Sequence, residues 1–162
     1  MDKIIIRKAK SEDIEEIANI KVRCWQTAYR NIIADEYLDN MDIECTIEKN
    51  KRIFEQHNII VAESNNEVIG FCRYDYNNYY EEENVDCELI ALYIKPEMKR
   101  HGIGRKLMKY AINEFKNSKI QKKKKWFYGV LKKIIHQEHF MNQWGVKLQK
   151  LNQKNLEKKN MN

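Results

Sequence analysis

The residues best suited to chemistry lie close together, in the run K-R-H-G-I-G-R-K from Lys99 to Lys106. Its core is Lys99-x-x-Gly102-x-Gly104. Glycines can take left-handed or crowded backbone geometry. A glycine loop that opens a helix points several backbone N–H groups one way, at the positive end of the helix dipole. That arrangement is an anion site, most often for phosphate. Lys99, Arg100, Arg105 and Lys106 add positive charge. The spacing is not the G-x-G-x-x-G of dinucleotide folds, and no Gly-Lys-Ser/Thr end of a P-loop follows.

Two elements must hold this loop. Leu89, Ile90, Ala91, Leu92, Tyr93 and Ile94 form an apolar run of strand length. Pro96 ends it, having no N–H to give a ladder. Beyond the glycines, Leu107, Met108, Ala111, Ile112 and Phe115 recur at helical spacing. The reading is therefore a central strand over 88–94, a tight loop, and a helix over roughly 103–117.

The remainder predicts alternating strands and helices. Ile4, Ile5 and Ile6 start a first strand, and Ser11 is placed as the N-cap of a helix through Ile14, Ile17, Ala18 and Val22. Trp25 and Tyr29, four apart, share a helical face. Asp35–Leu38 and Cys45–Phe54 read as further helix. Ile59–Ala62 and Val68–Tyr76 read as strands joined by a turn at Asn65-Asn66. Asn77–Asn84 reads as a polar, acidic hairpin loop.

With 162 residues and 43% hydrophobic content, one domain with a real core is expected. No apolar run has the length of a membrane span, and the charged N-terminus does not suit a signal peptide. Cys24, Cys45, Cys72 and Cys87 lack C-x-x-C spacing and read as free thiols in a reducing cytoplasm. His136 and His139 are three apart, but no third ligand accompanies them, so no metal is expected. The net charge of +6 hides an asymmetry. Residues 1–120 carry 19 Lys+Arg against 22 Asp+Glu, whereas residues 121–162 carry 11 against two. A basic tail can bind nucleic acid, yet this one holds no Cys/His zinc set and no recognisable nucleic-acid motif. A solvated basic surface is the preferred reading. Trp126–Leu131 is predicted as a strand, and Phe140, Trp144, Leu148 and Leu151 suggest a basic amphipathic helix from about Gln137 onward.

The strand L-Y-I-K-P-E followed by K-x-x-G-x-G and an amphipathic helix resembles motif A of the GCN5-related N-acetyltransferases, with Lys99 in place of the usual Arg or Gln. I-R-K-A-K-S-E-D-I-E-E-I-A-N-I resembles that family's opening strand and helix, and the V-I-G-F hairpin is similar to its own. The resemblance implies an α/β fold of the acyl-CoA N-acyltransferase type, a mixed sheet flanked by helices, with the central strand parting from its neighbour on the 126–131 side. It implies acetyl-CoA as cosubstrate and acetyl transfer to a primary amine, on a small molecule or peptide. The loop Lys99, Arg100, His101, Gly102, Ile103, Gly104, Arg105 and Lys106 would take the pyrophosphate. Leu92, Tyr93 and Ile94 would pair with the pantetheine arm. Glu88 falls where some members hold a glutamate general base, a task suited by burial at a strand position. Trp25 and Tyr29 fall in the variable acceptor region.

The resemblance covers residues 1–120, the expected cofactor-binding core. In residues 121–162 the family's N-x-x-S/A-x-x-F-Y-E pattern, whose Tyr protonates the leaving thiolate, is missing. Synonymous codons for Lys125–Lys147 allow the next reading frame to spell M-V-L-W-C-L-K-E-N-Y-P-S-R-A-F-Y-E-S-M-G-G-K, which restores it. A one-base slip near the codons for Lys122–Lys125 is therefore expected, giving an atypical basic segment of the same domain that caps a sheet edge, forms a homodimer or frays. The alternative to an enzyme is then a CoA-binding protein with little turnover.

Overall fold

The computed structural model describes residues 3–76, 87–118, 126–131 and 146–151. They form two compact units: residues 1–74 with 91–114, and residues 75–90 with 115–162. Strand β4 and helix α4 each have residues in both.

The first unit is a meander of antiparallel strands under two helices. β1 (Ile5–Lys8) pairs with β2 (Asn58–Ser64), and β2 with β3 (Glu67–Asp75). Asn65 and Asn66 turn the β2–β3 hairpin with φ of 51° and 63°. Both central residues of the favoured two-residue hairpin turn need positive φ, and asparagine tolerates it. Helix α1 (Ile14–Ala28) and helix α3 (Ile43–Gln56) lie in sequence between β1 and β2, with the short α2 (Asp35–Asp39) between them. Ile17, Ile20 and Cys24 of α1 pack on Ile59, Val61, Val68 and Phe71 of β2 and β3, with Ile53 and Phe54 of α3 against them. Ala91 and Tyr93, from the end of β4 (Cys87–Ile94), join this core. Helix α4 (Ile103–Asn117) buries Ile103, Leu107, Met108 and Ala111.

Ser11 is not the cap expected of it. Residues Ser11–Asp13 form one 3-10 turn, and the Asp13 carboxylate accepts the Lys10 N–H at 2.7 Å. Asp13 also takes both arms of the Arg7 guanidinium, at 2.7 and 2.9 Å. A carboxylate satisfies the orphan donor and the neighbouring cation together, which a serine hydroxyl cannot. Burial works to raise the Asp13 carboxyl, but Arg7 and the Lys10 N–H hold it below the usual carboxylate range.

In the second unit β4 pairs in parallel with β5 (Trp126–Leu131), through Cys87, Glu88 and Leu89 against Trp126, Phe127 and Tyr128. β5 pairs in parallel with β6 (Val146–Leu151) along all six residues. The strand expected at 126–131 is there; the helix expected from about Gln137 onward is not, over Val146–Leu151. The physical reason is local: after Gly145, Val146-Lys147-Leu148-Gln149 alternates apolar and polar with period two. The acidic loop at 77–84, the lysine run at 122–125 and His136 with His139 lie outside the described residues. Tyr76 stacks on Phe115 at 6.3 Å, both within this unit.

The end of β4 carries the most demanding charge in the first unit. Lys95 is 5% exposed, and its ammonium lies 2.6 Å from Glu16 and also bonds Glu67. Burial alone would lower its pKa, but the two carboxylates more than reverse that and raise it above the ordinary lysine value. A raised folded pKa means stabilisation that is complete below the unfolded pKa, about 10.4, and lost as pH rises through the folded value. Lys95→Met should therefore cost about 1–3 kcal/mol at neutral pH. The gap to the wild type should close when thermal melts are repeated in steps above about pH 10.5.

Candidate functional site

The loop of interest is built as the sequence predicts, from strand to loop to helix. β4 ends at Ile94, Lys95 donates its backbone N–H to Ile69 of β3 at 3.0 Å, and Pro96 opens a single 3-10 turn through Met98. Lys99 returns to extended backbone. Arg100 and Gly102 then take φ of 69° and 74°, and α4 starts at Ile103. The Lys106 N–H closes the first α4 turn on the Gly102 carbonyl at 3.1 Å. The N–H groups ahead of it in that turn have no place in the helical ladder and are available to an anion.

The left-handed residues are Arg100 and Gly102. Gly104 is the second residue of α4 and is buried. An added Cβ at Gly102 would meet nothing within 4 Å, so the space above the loop is open on that side. Lys99, Arg100, His101, Arg105 and Lys106 are all exposed, while Ile103 anchors the helix in the core. The loop thus presents four basic side chains and directed N–H groups, a donor set that fits a pyrophosphate.

The structure also gathers three aromatics, from α1 and its end and from β4. Trp25 is 4% exposed, and its indole N–H donates to the Tyr93 hydroxyl at 2.8 Å. Tyr29 meets the Trp25 ring edge-on at 4.8 Å and also bonds the Tyr93 hydroxyl. The pairing of Trp25 with Tyr29 was visible in their spacing; the link to Tyr93 was not, because those residues are 68 apart in the chain. Burial raises the Tyr93 phenol pKa, against these two bonds, which work to lower it. Leu92, Tyr93 and Ile94 are half-buried. Glu88 is 1% exposed, on the first half of β4 in the second unit.

Electrostatics sharpen one further position that sequence reasoning passed over. The Lys21 ammonium lies 5.9 Å from the Trp25 ring centroid. Burial first, and then the charges of Arg73 and Lys49, bring it down to about 8. Among the described residues no group of three His, Cys, Asp or Glu could hold a metal ion, and no helix is long and apolar enough to cross a membrane.

A glycine loop between an inner strand and an amphipathic helix, fed by an antiparallel hairpin, defines the acyl-CoA acyltransferase class of fold. Residues 14–128 match the model of the acetyltransferase (GNAT) family, and the chain belongs to that family. It is 32% identical over 105 residues to YuaI of Bacillus subtilis, an uncharacterized N-acetyltransferase. That alignment takes in 65% of this chain and 60% of the relative, so the likeness covers less than two thirds of the relative's length. An uncharacterized N-acetyltransferase of Archaeoglobus fulgidus is 29% identical over 115 residues, 66% of this chain and 70% of its own. Among solved structures, the PaiA N-acetyltransferase of Thermoplasma acidophilum, in complex with coenzyme A, superimposes with a TM-score of 0.73. It is 23% identical, over 93% of this chain and 94% of that one, a likeness of fold.

Lys21 offers a direct check on the site's electrostatics. Its charge should be lost with a midpoint near 8, and the loss should register in the adjacent Trp25. Intrinsic tryptophan fluorescence, titrated between neutral and mildly alkaline pH, should show this step in the wild type and lack it in Lys21→Met.

Proposed function

We propose that this chain transfers an acetyl group from acetyl-CoA to a primary amine. The observation that carries the reading is the left-handed turn at Arg100 and Gly102, set between β4 and the N-terminus of α4. Family membership supports it, as does the coenzyme A held by the Thermoplasma structure of the same fold.

In this reading the loop from Lys99 to Lys106 holds the pyrophosphate with backbone N–H groups and flanking cations. The backbone of Leu92, Tyr93 and Ile94 aligns the pantetheine arm. Acetyl-CoA, when bound, supplies the activated thioester. Glu88 accepts the proton that the acceptor ammonium must lose before its nitrogen can attack. Its burial on β4 keeps it out of bulk water. Trp25 and Tyr29 form the wall on the acceptor side, and the acceptor is a small molecule or peptide amine.

A second reading is favoured by one specific observation. The family match ends at residue 128, close to where the charge balance turns basic. A chain with a displaced reading frame past that point would bind CoA and turn over slowly. Resequencing the source gene from independent isolates tests the displaced frame: an intact frame coding for this tail refutes it.

A thiol-release assay against an amine panel separates the two readings, since both bind CoA. Gly102→Asp adds bulk at a left-handed position and a negative charge facing the pyrophosphate. It should weaken CoA binding by more than about tenfold, about 1.4 kcal/mol. Unchanged affinity in a folded Gly102→Asp variant sinks the assignment. Glu88→Gln should leave CoA affinity intact and lower turnover most at neutral pH. The deficit should shrink at high pH, where the amine is already deprotonated.

A further inference from the structure

Gly70, in the middle of β3, is closer to the end of β4 than any other residue type would permit. A Cβ built on it would lie 2.9 Å from the Tyr93 carbonyl oxygen, 3.3 Å from the Ile94 Cα and 3.2 Å from the Ile94 Cγ1. A Cβ at 2.9 Å from a backbone oxygen is not tolerated, and a backbone oxygen cannot swing aside as a side-chain tip can. The Tyr93–Ile94 peptide would have to move.

That peptide has little freedom to move. The Cys24 thiol of α1 donates to the Ile94 carbonyl at 3.1 Å. The Tyr93 hydroxyl is tied to Trp25, also on α1, at 2.8 Å. One residue on, the Lys95 N–H is bonded to the Ile69 carbonyl at 3.0 Å, and its ammonium is held by Glu16 and Glu67. The end of β4 is therefore gripped by α1 and β3, and the missing side chain of Gly70 sets how near β3 can come. All of these contacts lie within the first unit.

The geometry points to Gly70 as a positioning residue for the strand segment that aligns the pantetheine arm, with Cys24 holding the same segment through Ile94. The inference rests on the assignment of Leu92, Tyr93 and Ile94 to that arm. It adds a residue on a different strand, β3, outside the loop. A displaced Tyr93–Ile94 peptide presents its Ile94 N–H out of line with the arm's amides. The Lys99–Lys106 loop, which starts beyond the Lys95 anchor, keeps its shape. Gly70→Ala should then weaken the grip on pantetheine and leave the grip on the nucleotide phosphates alone.

The experiment compares two ligands on three folded proteins. Calorimetry is run with CoA and with its pantetheine-free fragment, an adenosine bisphosphate, on the wild type, Gly70→Ala and Val68→Ala. Val68 is a buried residue of the same strand, so its truncation controls for lost stability. Gly70→Ala should bind CoA about tenfold more weakly or worse and bind the fragment as the wild type does. Val68→Ala should melt at a lower temperature and bind both ligands as the wild type does. If Gly70→Ala binds CoA normally, or loses CoA and the fragment in equal measure, the positioning role is overturned. If the wild type itself binds no CoA, the cofactor assignment fails and this inference falls with it. Should Gly70→Ala melt below the assay temperature, Cys24→Ala replaces it. It removes the opposing hydrogen bond without adding bulk, and it should show the same selective loss, a few-fold in size. An unselective or absent effect there overturns the proposal equally.

Discussion

The buried ammonium of Lys95 decides where β4 stops and the loop begins. A lysine 5% exposed must be neutralised where it lies, and Glu16 of α1 and Glu67 of β3 do so. The three residues come from three elements, so satisfying the charge fixes α1, β3 and the end of β4 relative to one another. Pro96 follows at once and forbids further ladder. What lies beyond is a short chain with a defined start, leading into a helix whose first residue, Ile103, is itself buried. The left-handed turn at Arg100 and Gly102 joins these two ends.

Local pattern carried much of this fold. The run from Leu89 to Ile94 and the helical spacing from Leu107 to Phe115 placed β4 and α4 within a residue of their observed limits. Two asparagines marked the hairpin turn, and both take positive φ. Each of these signals is complete within about fifteen residues, which is why it can be read in one dimension.

The misses share the opposite property. Ser11 lost the helix start to Asp13 because Arg7 and the Lys10 N–H both compete for a carboxylate. Gly102 takes the left-handed conformation open to it, and Arg100 takes that conformation too, which its residue type did not signal. Propensity favours glycine there, but the loop's geometry is set by its anchors. The strand at Val146–Leu151 was obscured by apolar residues further upstream that happen to fit a helical period. At the candidate site, the loop cations and the Trp25–Tyr29 pair were legible. The contacts of Gly70 and Cys24 with the end of β4, and of Lys95 with Glu16 and Glu67, were not, since each joins residues more than twenty positions apart.

The cysteines of the first unit differ sharply in their surroundings. Cys45 is exposed near the start of α3, Cys24 is buried with its thiol bonded to Ile94, and Cys72 is buried with its thiol pKa pushed far up. The reactive species is the thiolate, so only Cys45 of these three is open to an alkylating probe in the native state. Cys24 becomes reachable when α1 separates from the strands it packs on, which makes its labelling rate a clock for that opening. A maleimide-linked dye would enter first at Cys45. The slower arrival of label at Cys24, located by peptide mapping, would then report how often the grip of α1 on β4 lets go.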